Sequence, residues 1–427
     1  MFNFHLIRSV FVFAVTNALA AGLPLLLLPF LTRVLSPEDY GLVAMYSVVL
    51  SGLGAFIGLS VHGAVGMRYF DRAEIDFPQY VGACLAILVV TTSAVLSIVW
   101  IAQTPLEMLT SLPAEWLAIA VPTSGLQFIL LIRLSIFQSA KKANMFGLFR
   151  VSQTVLDAVL SIAFVLFLSL AWEGRLIGMS AAVAVLGAVS LISLARGGWI
   201  NLAVRGEYVR NALKFGVPLV PHVVGGMLIA MADRFMITNL LGVASTGVYM
   251  VAVQIGLGVY LLADACSRAI SPWIIEVMKE QDKTKNVFVV RYYYLYFIFL
   301  LFVAFSIGGS APYFLSFLVG DAFQAAAPLI VTIAIGQAFG GMYLMVANVI
   351  FYKSKTLQLA TITISCGVLN ALLSYFLLLV EGIQGAAHAY LAAQFVMFVA
   401  TFALSQKLYP LPWFAALGRL KSGGWVA

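Results

Sequence analysis

The chain has few charged residues and few cysteines. Only 10% of its 427 residues are Asp, Glu, Lys or Arg, whereas an ordinary soluble domain carries about 25%. The three cysteines, Cys84, Cys266 and Cys366, stand far apart in the chain, so they form neither a disulfide framework nor the spacing of a metal site. These shortages exclude an ordinary soluble globule, and they give no indication of a metal or a cofactor.

Hydrophobic residues, by contrast, make up 63% of the chain and are gathered into twelve long stretches. A helix needs about 20 apolar residues to cross about 30 Å of hydrocarbon, and these stretches have that length. We therefore predict an all-α integral membrane protein. The predicted transmembrane helices are 10–32, 41–66, 80–102, 116–140, 151–171, 176–196, 215–241, 246–272, 292–310, 323–352, 357–380 and 383–406.

The positive charges are distributed unevenly around these helices. Nineteen of the 24 Lys and Arg residues fall on one side of the predicted membrane, and only Arg33 and Arg175 fall in gaps on the other side. Cytoplasmic loops carry the excess of Lys and Arg, so we expect both termini in the cytoplasm. The net charge of +7 is thus a topological signal, and we do not expect nucleic acid as a partner.

The chain divides into two six-helix halves, predicted as 1–204 and 205–406, followed by a cytoplasmic tail, 407–427. Moving the second half onto the first by 206 residues aligns Gly41 with Gly247 and Gly52 with Gly258. Few identities support this repeat. An even number of helices in each half predicts parallel repeats, with substrate bound between them. Pro218 and Pro221 predict a kink in the seventh helix.

Four stretches resemble the O-antigen flippases, which are Wzx-type polysaccharide translocases of the superfamily that includes the multidrug and toxin extrusion (MATE) transporters. The stretches are Leu23 to Val49, Leu213 to His222, Ala232 to Gly242 and Ser245 to Ile255. The resemblance implies a MATE-like fold, in which two six-helix lobes surround a cationic central cavity. It also implies transfer of an undecaprenyl-pyrophosphate-linked oligosaccharide across the bacterial inner membrane, driven by an ion gradient.

Charged residues inside the spans are the candidates for this activity, because a charge at the bilayer centre needs a partner or a wet cavity. Arg268 follows Asp264 by one helical turn, so the two can pair, either as a structural ion pair or as a tuned phosphate ligand. With the offset of 206, His62 corresponds to Arg268, and we expect both to capture pyrophosphate. Asn17 and Gln254 are candidate sugar ligands.

Two further groups of intramembrane charges are candidates. Asp233 and Arg234 are neighbours in the seventh span and point about 100° apart; the resemblance implies a substrate role for Arg234. Arg133 and Asp157 lie at similar depth in adjacent spans. The pair forms an interhelical salt bridge, or Arg133 extends to the headgroups, or it contacts substrate. We assign ion coupling to Asp157, Asp233 and Asp264.

The expected partners are the lipid-linked oligosaccharide, membrane lipids, H⁺ or Na⁺ and other polysaccharide-assembly proteins. A multidrug antiporter shares this architecture, but its cavity needs acids and aromatics for cationic drugs. A membrane polymerase or ligase typically needs a sizeable periplasmic loop, and the gaps here are short. We therefore expect a transporter, not an enzyme. A scaffold without transport activity leaves the buried charges unexplained.

Overall fold

The structure is a computed structural model that describes residues 4–280, 283–353 and 355–414. Within these ranges the chain is α-helical and contains no strand. In chain order the helices are α1 Phe4–Val34, α2 Pro37–Phe56, α3 Val61–Arg68, α4 Phe77–Ile101, α5 Gln103–Thr110, α6 Ala114–Ser139, α7 Ala143–Ile162, α8 Ala171–Arg196, α9 Gly206–Gly216, α10 Val220–Leu241, α11 Val243–Glu280, α12 Lys283–Leu318, α13 Ala327–Tyr352, α14 Thr356–Glu381 and α15 Ile383–Leu408.

The predicted all-α membrane architecture is confirmed. Eleven segments of the described chain are long and apolar enough to cross a membrane, and the first predicted span lies within the 31-residue helix α1. In the hydrocarbon, a helix satisfies its own backbone hydrogen bonds, so each long apolar stretch forms one. The expected break in the seventh span is a 3₁₀ turn, Val217–Leu219, that separates α9 from α10.

The second predicted span contains a break that the sequence did not reveal. Helix α2 ends at Phe56, and Gly58, Leu59 and Ser60 all have positive φ angles of 73°, 46° and 58°. The Gly58 amide donates to Thr91 Oγ1 at 2.9 Å, which replaces the hydrogen bond that a continuous helix would make. A Cβ on Gly58 would lie 2.3 Å from the Phe128 ring, so this turn requires glycine.

The chain forms two compact units. Unit 1 comprises Met1–Met227, Arg234–Met250 and Leu318–Phe323; unit 2 comprises Leu228–Asp233, Val251–Phe317 and Gln324–Ala427. The predicted division into two six-helix lobes, 1–204 and 205–406, stays a prediction. Of the predicted tail, 407–427, residues 415–427 lie outside the described part of the chain.

Within unit 1, the starts of α2 and α11 cross at two glycines. A Cβ on Gly41 would lie 2.1 Å from the Val243 carbonyl oxygen, and a Cβ on Gly247 would lie 1.9 Å from the Pro37 carbonyl oxygen. The two contacts are reciprocal, because Val243 follows Pro37 and Gly247 follows Gly41 by the same 206 residues. The offset aligned from sequence thus pairs positions that also pack symmetrically.

Unit 2 is built around α12, which packs against α11 and α13. Tyr293, Tyr296 and Leu300 of α12 are buried in one hydrophobic cluster with Ala263 of α11. The Tyr296 hydroxyl lies 3.2 Å from the Ala263 carbonyl oxygen and 3.0 Å from that of Gly341. The small residues Ala263 and Gly341 let the helices pack closely.

Candidate functional site

Unit 1 encloses a cavity of about 610 Å³. Its walls come from five helices, α1, α2, α6, α7 and α8. Hydroxyl and amide side chains alternate with apolar ones along the walls, and the charged residues among the described part of the lining are one arginine and one aspartate. The polar and charged lining residues are Ser47, Ser51, Thr123, Ser124, Gln127, Arg150, Gln153, Thr154 and Asp157.

A chain of hydrogen bonds joins two walls of this cavity. Arg150 Nη1 donates to Gln153 Oε1 at 3.3 Å, and Gln153 Nε2 donates to Gln127 Oε1 at 2.6 Å. Arg150 and Gln153 belong to the middle of α7, and Gln127 belongs to α6. The other guanidinium N–H groups of Arg150 bond to no described residue, so they are available to an anion in the cavity.

Asp157 lies on the cavity wall two turns further along α7, and its partner is Arg175 of α8. Both guanidinium Nη atoms bond to the carboxylate, and Nη1 also bonds to the Ser161 hydroxyl. Gly178 allows this approach, since a Cβ there would lie 2.5 Å from Ser161 Oγ. Arg175 Nε has no hydrogen-bond partner among the described residues. Arg175 is buried, although the sequence predicts it in a loop between two transmembrane helices.

The predicted salt bridge between Arg133 and Asp157 is therefore wrong. Arg133 is buried on α6, and its guanidinium carbon lies 4.1 Å from the centre of the Phe137 ring. Its Nε has no hydrogen-bond partner among the described residues, and no acid pairs with it there. Equal depth in neighbouring helices did not decide the pairing, because Asp157 faces α8 rather than α6. A substrate role for Arg133 stays a prediction.

His62 is the second residue of α3, just after the turn with positive φ angles. Its ring packs edge-on against Phe128, with 5.4 Å between ring centres, and Phe128 lines the cavity. His62 therefore contacts a residue of the cavity wall and is not among the lining residues itself. Its Nδ1 is buried and has no hydrogen-bond partner among the described residues. Its assigned role in pyrophosphate capture stays a prediction.

Asp233 and Arg234 are both buried within α10. Arg234 Nε donates to Met250 Sδ at 3.1 Å, and its guanidinium carbon lies 5.9 Å from the centre of the Tyr249 ring. Both contacts favour a buried guanidinium, because the ring face is electron-rich and the sulfur is polarisable. The substrate role of Arg234 and the coupling role of Asp233 stay predictions.

In unit 2, the predicted pairing of Arg268 with Asp264 is confirmed. Arg268 Nε donates to Asp264 Oδ2 at 2.7 Å, and the arginine side chain is 60% exposed. Gln254 lies about three turns before Asp264 on α11 and is half-buried. The side chain of Asn17 lies outside the described part of α1. Whether these residues contact substrate stays a prediction.

Of the eight predicted functional residues whose side chains the structure describes, only Asp157 lines the cavity, and the sequence did not point to Arg150 and Arg175. Arg150 was counted among the cytoplasmic charges, because α7 was predicted to begin one residue later than Arg150, whereas it begins at Ala143. Its depth inside the helix was the missing signal. For Arg175, the useful signal was the scarcity of positive charge on its side of the membrane, which made any arginine there an exception.

Comparison with known proteins identifies the family. Residues 6–278 match the family described as polysaccharide biosynthesis protein. The chain belongs to this family. Lsg locus putative protein 1 of Haemophilus influenzae is 26% identical over 357 residues, covering 82% of this chain and 84% of that protein. An uncharacterized membrane protein of the same organism is 24% identical, covering 86% and 88%.

Solved structures define the fold of this family member. A multidrug resistance MATE family transporter of the MOP superfamily, in an inward-facing conformation, superposes with a TM-score of 0.70 at 16% identity, covering 96% of each chain. The lipid II flippase MurJ, in an inward closed conformation, superposes with a TM-score of 0.68 at 15% identity, covering 98% of this chain and 91% of that one. The chain is thus a multi-pass membrane protein with the fold of these transporters.

Proposed function

We propose that the protein is a flippase that carries an undecaprenyl-pyrophosphate-linked oligosaccharide, an O-antigen or other surface polysaccharide repeat unit, across the inner membrane by alternating access. The observation that supports this most directly is the cavity of unit 1, in which an arginine with unused donors stands among amides and hydroxyls. Membership of the polysaccharide biosynthesis family agrees with a saccharide cargo.

The chemistry of the cavity suits such a cargo. A charged group moved into hydrocarbon without partners costs tens of kcal/mol, so a translocated pyrophosphate needs donors that replace its water. Arg150 offers charge-assisted hydrogen bonds of this kind. The amides of Gln127 and Gln153 both donate and accept, which is what sugar hydroxyls require. Because Asp157 is neutralised by Arg175, the cavity as a whole favours an anion.

Ion coupling is assigned to Asp157, Asp233 and Asp264, and the driving ion is H⁺ or Na⁺. Asp157 is the member of this set that faces the cavity. Binding of a cation to its carboxylate would weaken the bond to Arg175 and release a second positive charge beside the substrate. Arg268 is paired with Asp264 and yet 60% exposed, and we assign it, together with His62, to the capture of pyrophosphate. The 3₁₀ turn after α9 is the proposed hinge for the conformational change of alternating access.

The test replaces Arg150 and measures surface polysaccharide in a deletion strain that expresses the variant. Arg150→Gln removes the charge but keeps a hydrogen-bonding group, so we expect polysaccharide to fall about tenfold or more, since a hydrogen bond to a charged group contributes about 1.5–3 kcal/mol. Arg150→Lys should retain part of the activity. The matched control is Arg196→Gln, because Arg196 is exposed in the last turn of α8.

Unchanged polysaccharide in Arg150→Gln cells, at equal amounts of protein in the membrane, would contradict the proposal. Loss in both Arg150→Gln and Arg196→Gln cells would point to a general effect of charge and would contradict it as well.

The alternative is a MATE-type multidrug antiporter, which the fold alone also accommodates. A cationic drug would meet Arg150 in the cavity of unit 1 without a free carboxylate to offset it, which disfavours this function. Drug susceptibility separates the two. The flippase predicts that the deletion strain loses polysaccharide and keeps its normal drug tolerance, whereas the antiporter predicts the reverse.

A further inference from the structure

A second pocket of unit 1 lies between α3, α4 and α9 and has a volume of about 560 Å³. The described residues that line it differ from those that line the cavity above. Arg68 and Asp71 stand at the last turns of one membrane-spanning segment, Pro37–Asp71, and the next segment begins at Phe77. The pocket is therefore at the level where helices leave the hydrocarbon.

The pocket walls are held in place by side-chain hydrogen bonds between these helices. Asn211 Oδ1 of α9 accepts from Arg68 Nε at 3.2 Å and from the Tyr80 hydroxyl at 3.1 Å. The end of α9 is fixed as well, since a Cβ on Gly216 would lie 2.2 Å from the Leu59 carbonyl oxygen. The site is thus built before any ligand arrives.

Three groups of donors at this pocket remain without a partner among the described residues. Because Asn211 Oδ1 already accepts two hydrogen bonds, its amide nitrogen is left to donate. Arg68 Nη1 bonds to Asp71 at 2.8 Å, which leaves Nη2 unused. The ammonium of Lys214 makes no bond to a described residue and is exposed. Two cations and one carboxylate give the lining a net positive charge.

The rim of the pocket is apolar and exposed. Met67 is 62% exposed, Phe70 is 64% exposed and Phe215 also stands open, and all three line the pocket. Cationic donors beside exposed apolar side chains, at the end of membrane-spanning helices, match an amphipathic anion rather than a free soluble one.

We propose that this pocket binds the phosphate group of a membrane lipid through Arg68, Asn211 and Lys214, with the start of the lipid chains against Met67 and Phe70. A phosphodiester of a bulk phospholipid and a polyprenyl pyrophosphate present the same chemistry to these donors, and the experiment separates the two sources. The site goes beyond the proposed transport function, because it lies outside the cavity assigned to the cargo.

The test uses the full chain, purified in an uncharged detergent and titrated by microscale thermophoresis. The probes are dioctanoyl phosphatidylglycerol, farnesyl pyrophosphate and inorganic pyrophosphate. Lys214→Gln should raise the Kd for a lipid phosphate about fivefold, which corresponds to about 1 kcal/mol, a typical contribution of one basic residue near a lipid surface. Lys142→Gln, which removes another exposed lysine outside the pocket, should leave the Kd unchanged.

A second variant tests the apolar rim. Phe70→Ser should weaken binding of both lipids and leave that of inorganic pyrophosphate unchanged. Loss of phosphatidylglycerol affinity alone in Lys214→Gln would assign the site to bulk phospholipid, and loss of farnesyl pyrophosphate affinity alone would assign it to a polyprenyl lipid. Equal affinities in Lys214→Gln and the unmodified chain would overturn the proposal, and so would equal losses in Lys214→Gln and Lys142→Gln.

Discussion

The pairing of Asp157 with Arg175 gives the sharpest prediction about stability. Arg175 is 8% exposed and depends on Asp157 and Ser161 for its bonds, whereas Asp157 is 19% exposed and faces the cavity. Removing one partner of a buried ion pair costs about 3–5 kcal/mol. In Asp157→Leu the arginine is left buried with only Ser161, so we expect a loss of about 3 kcal/mol, the lower end of that range.

The opposite variant should be milder. Arg175→Met leaves a carboxylate that water in the cavity can solvate, and we expect a loss of about 1–2 kcal/mol. The double variant, Asp157→Leu with Arg175→Met, should recover most of the stability, because well-packed apolar residues of similar volume often replace a buried ion pair without net cost. The coupling energy between the two sites should thus be about 3 kcal/mol.

Thermal unfolding of the purified protein in detergent measures these differences. A loss of about 3 kcal/mol lowers the Tm by roughly 6–12 °C for a cooperative unit of 150–250 residues. Arg205→Gln is the matched control, since Arg205 forms an exposed pair with Glu207 at 3.7 Å and such pairs contribute about 0–1 kcal/mol. A double variant whose loss equals the sum of the two single losses would refute the reasoning, because the two residues would then act independently.

Three further predictions concern other parts of the chain. Gly41→Ala and Gly247→Ala should each reduce the yield of folded protein to a similar degree, because both place a Cβ against a backbone oxygen, whereas Gly258→Ala has open space and should behave as the unmodified chain. Arg268→Ala should lower surface polysaccharide while changing the Tm little, because its side chain is 60% exposed and exposed ion pairs contribute about 0–1 kcal/mol; unchanged polysaccharide would contradict the capture role. A reporter enzyme that is active only in the cytoplasm should be active when fused to the C-terminus, and an inactive fusion would reverse the predicted topology.

The helices were predictable from the sequence because a long apolar stretch in a bilayer forms a helix, whose hydrogen bonds are local. A chain in hydrocarbon satisfies its backbone hydrogen bonds within each segment, so hydropathy and length located the helices. Their ends were less predictable, since α7 begins eight residues and α12 nine residues before the predicted spans. Interruptions of a helix were harder to predict. The break after α2 involves Gly58 and also Leu59 and Ser60, and residues other than glycine rarely adopt positive φ angles. Phe128 and Thr91 both contact Gly58, and these long-range contacts could not be predicted from the local sequence.

The site was less predictable than the fold because it depends on which way each helix faces. Depth can be counted along a sequence, and it placed Arg133 and Asp157 at the same level. The direction in which a side chain points around its helix is set by packing, and in the structure Asp157 pairs with Arg175 instead. Arg150 shows a related difficulty, because a charge near a predicted helix end was taken for a topological signal. The length of α7, which begins at Ala143, places Arg150 in the cavity wall.

The crossing of α2 and α11 has a consequence for how this chain meets other molecules. In a two-fold homodimer, an isologous interface pairs position i of one subunit with j of the other, and j with i. Gly41 and Val243, with Gly247 and Pro37, reproduce that arrangement inside a single polypeptide. The chain carries both copies of a self-complementary surface and closes it internally, so this patch is already occupied and offers nothing to a second molecule of the same protein.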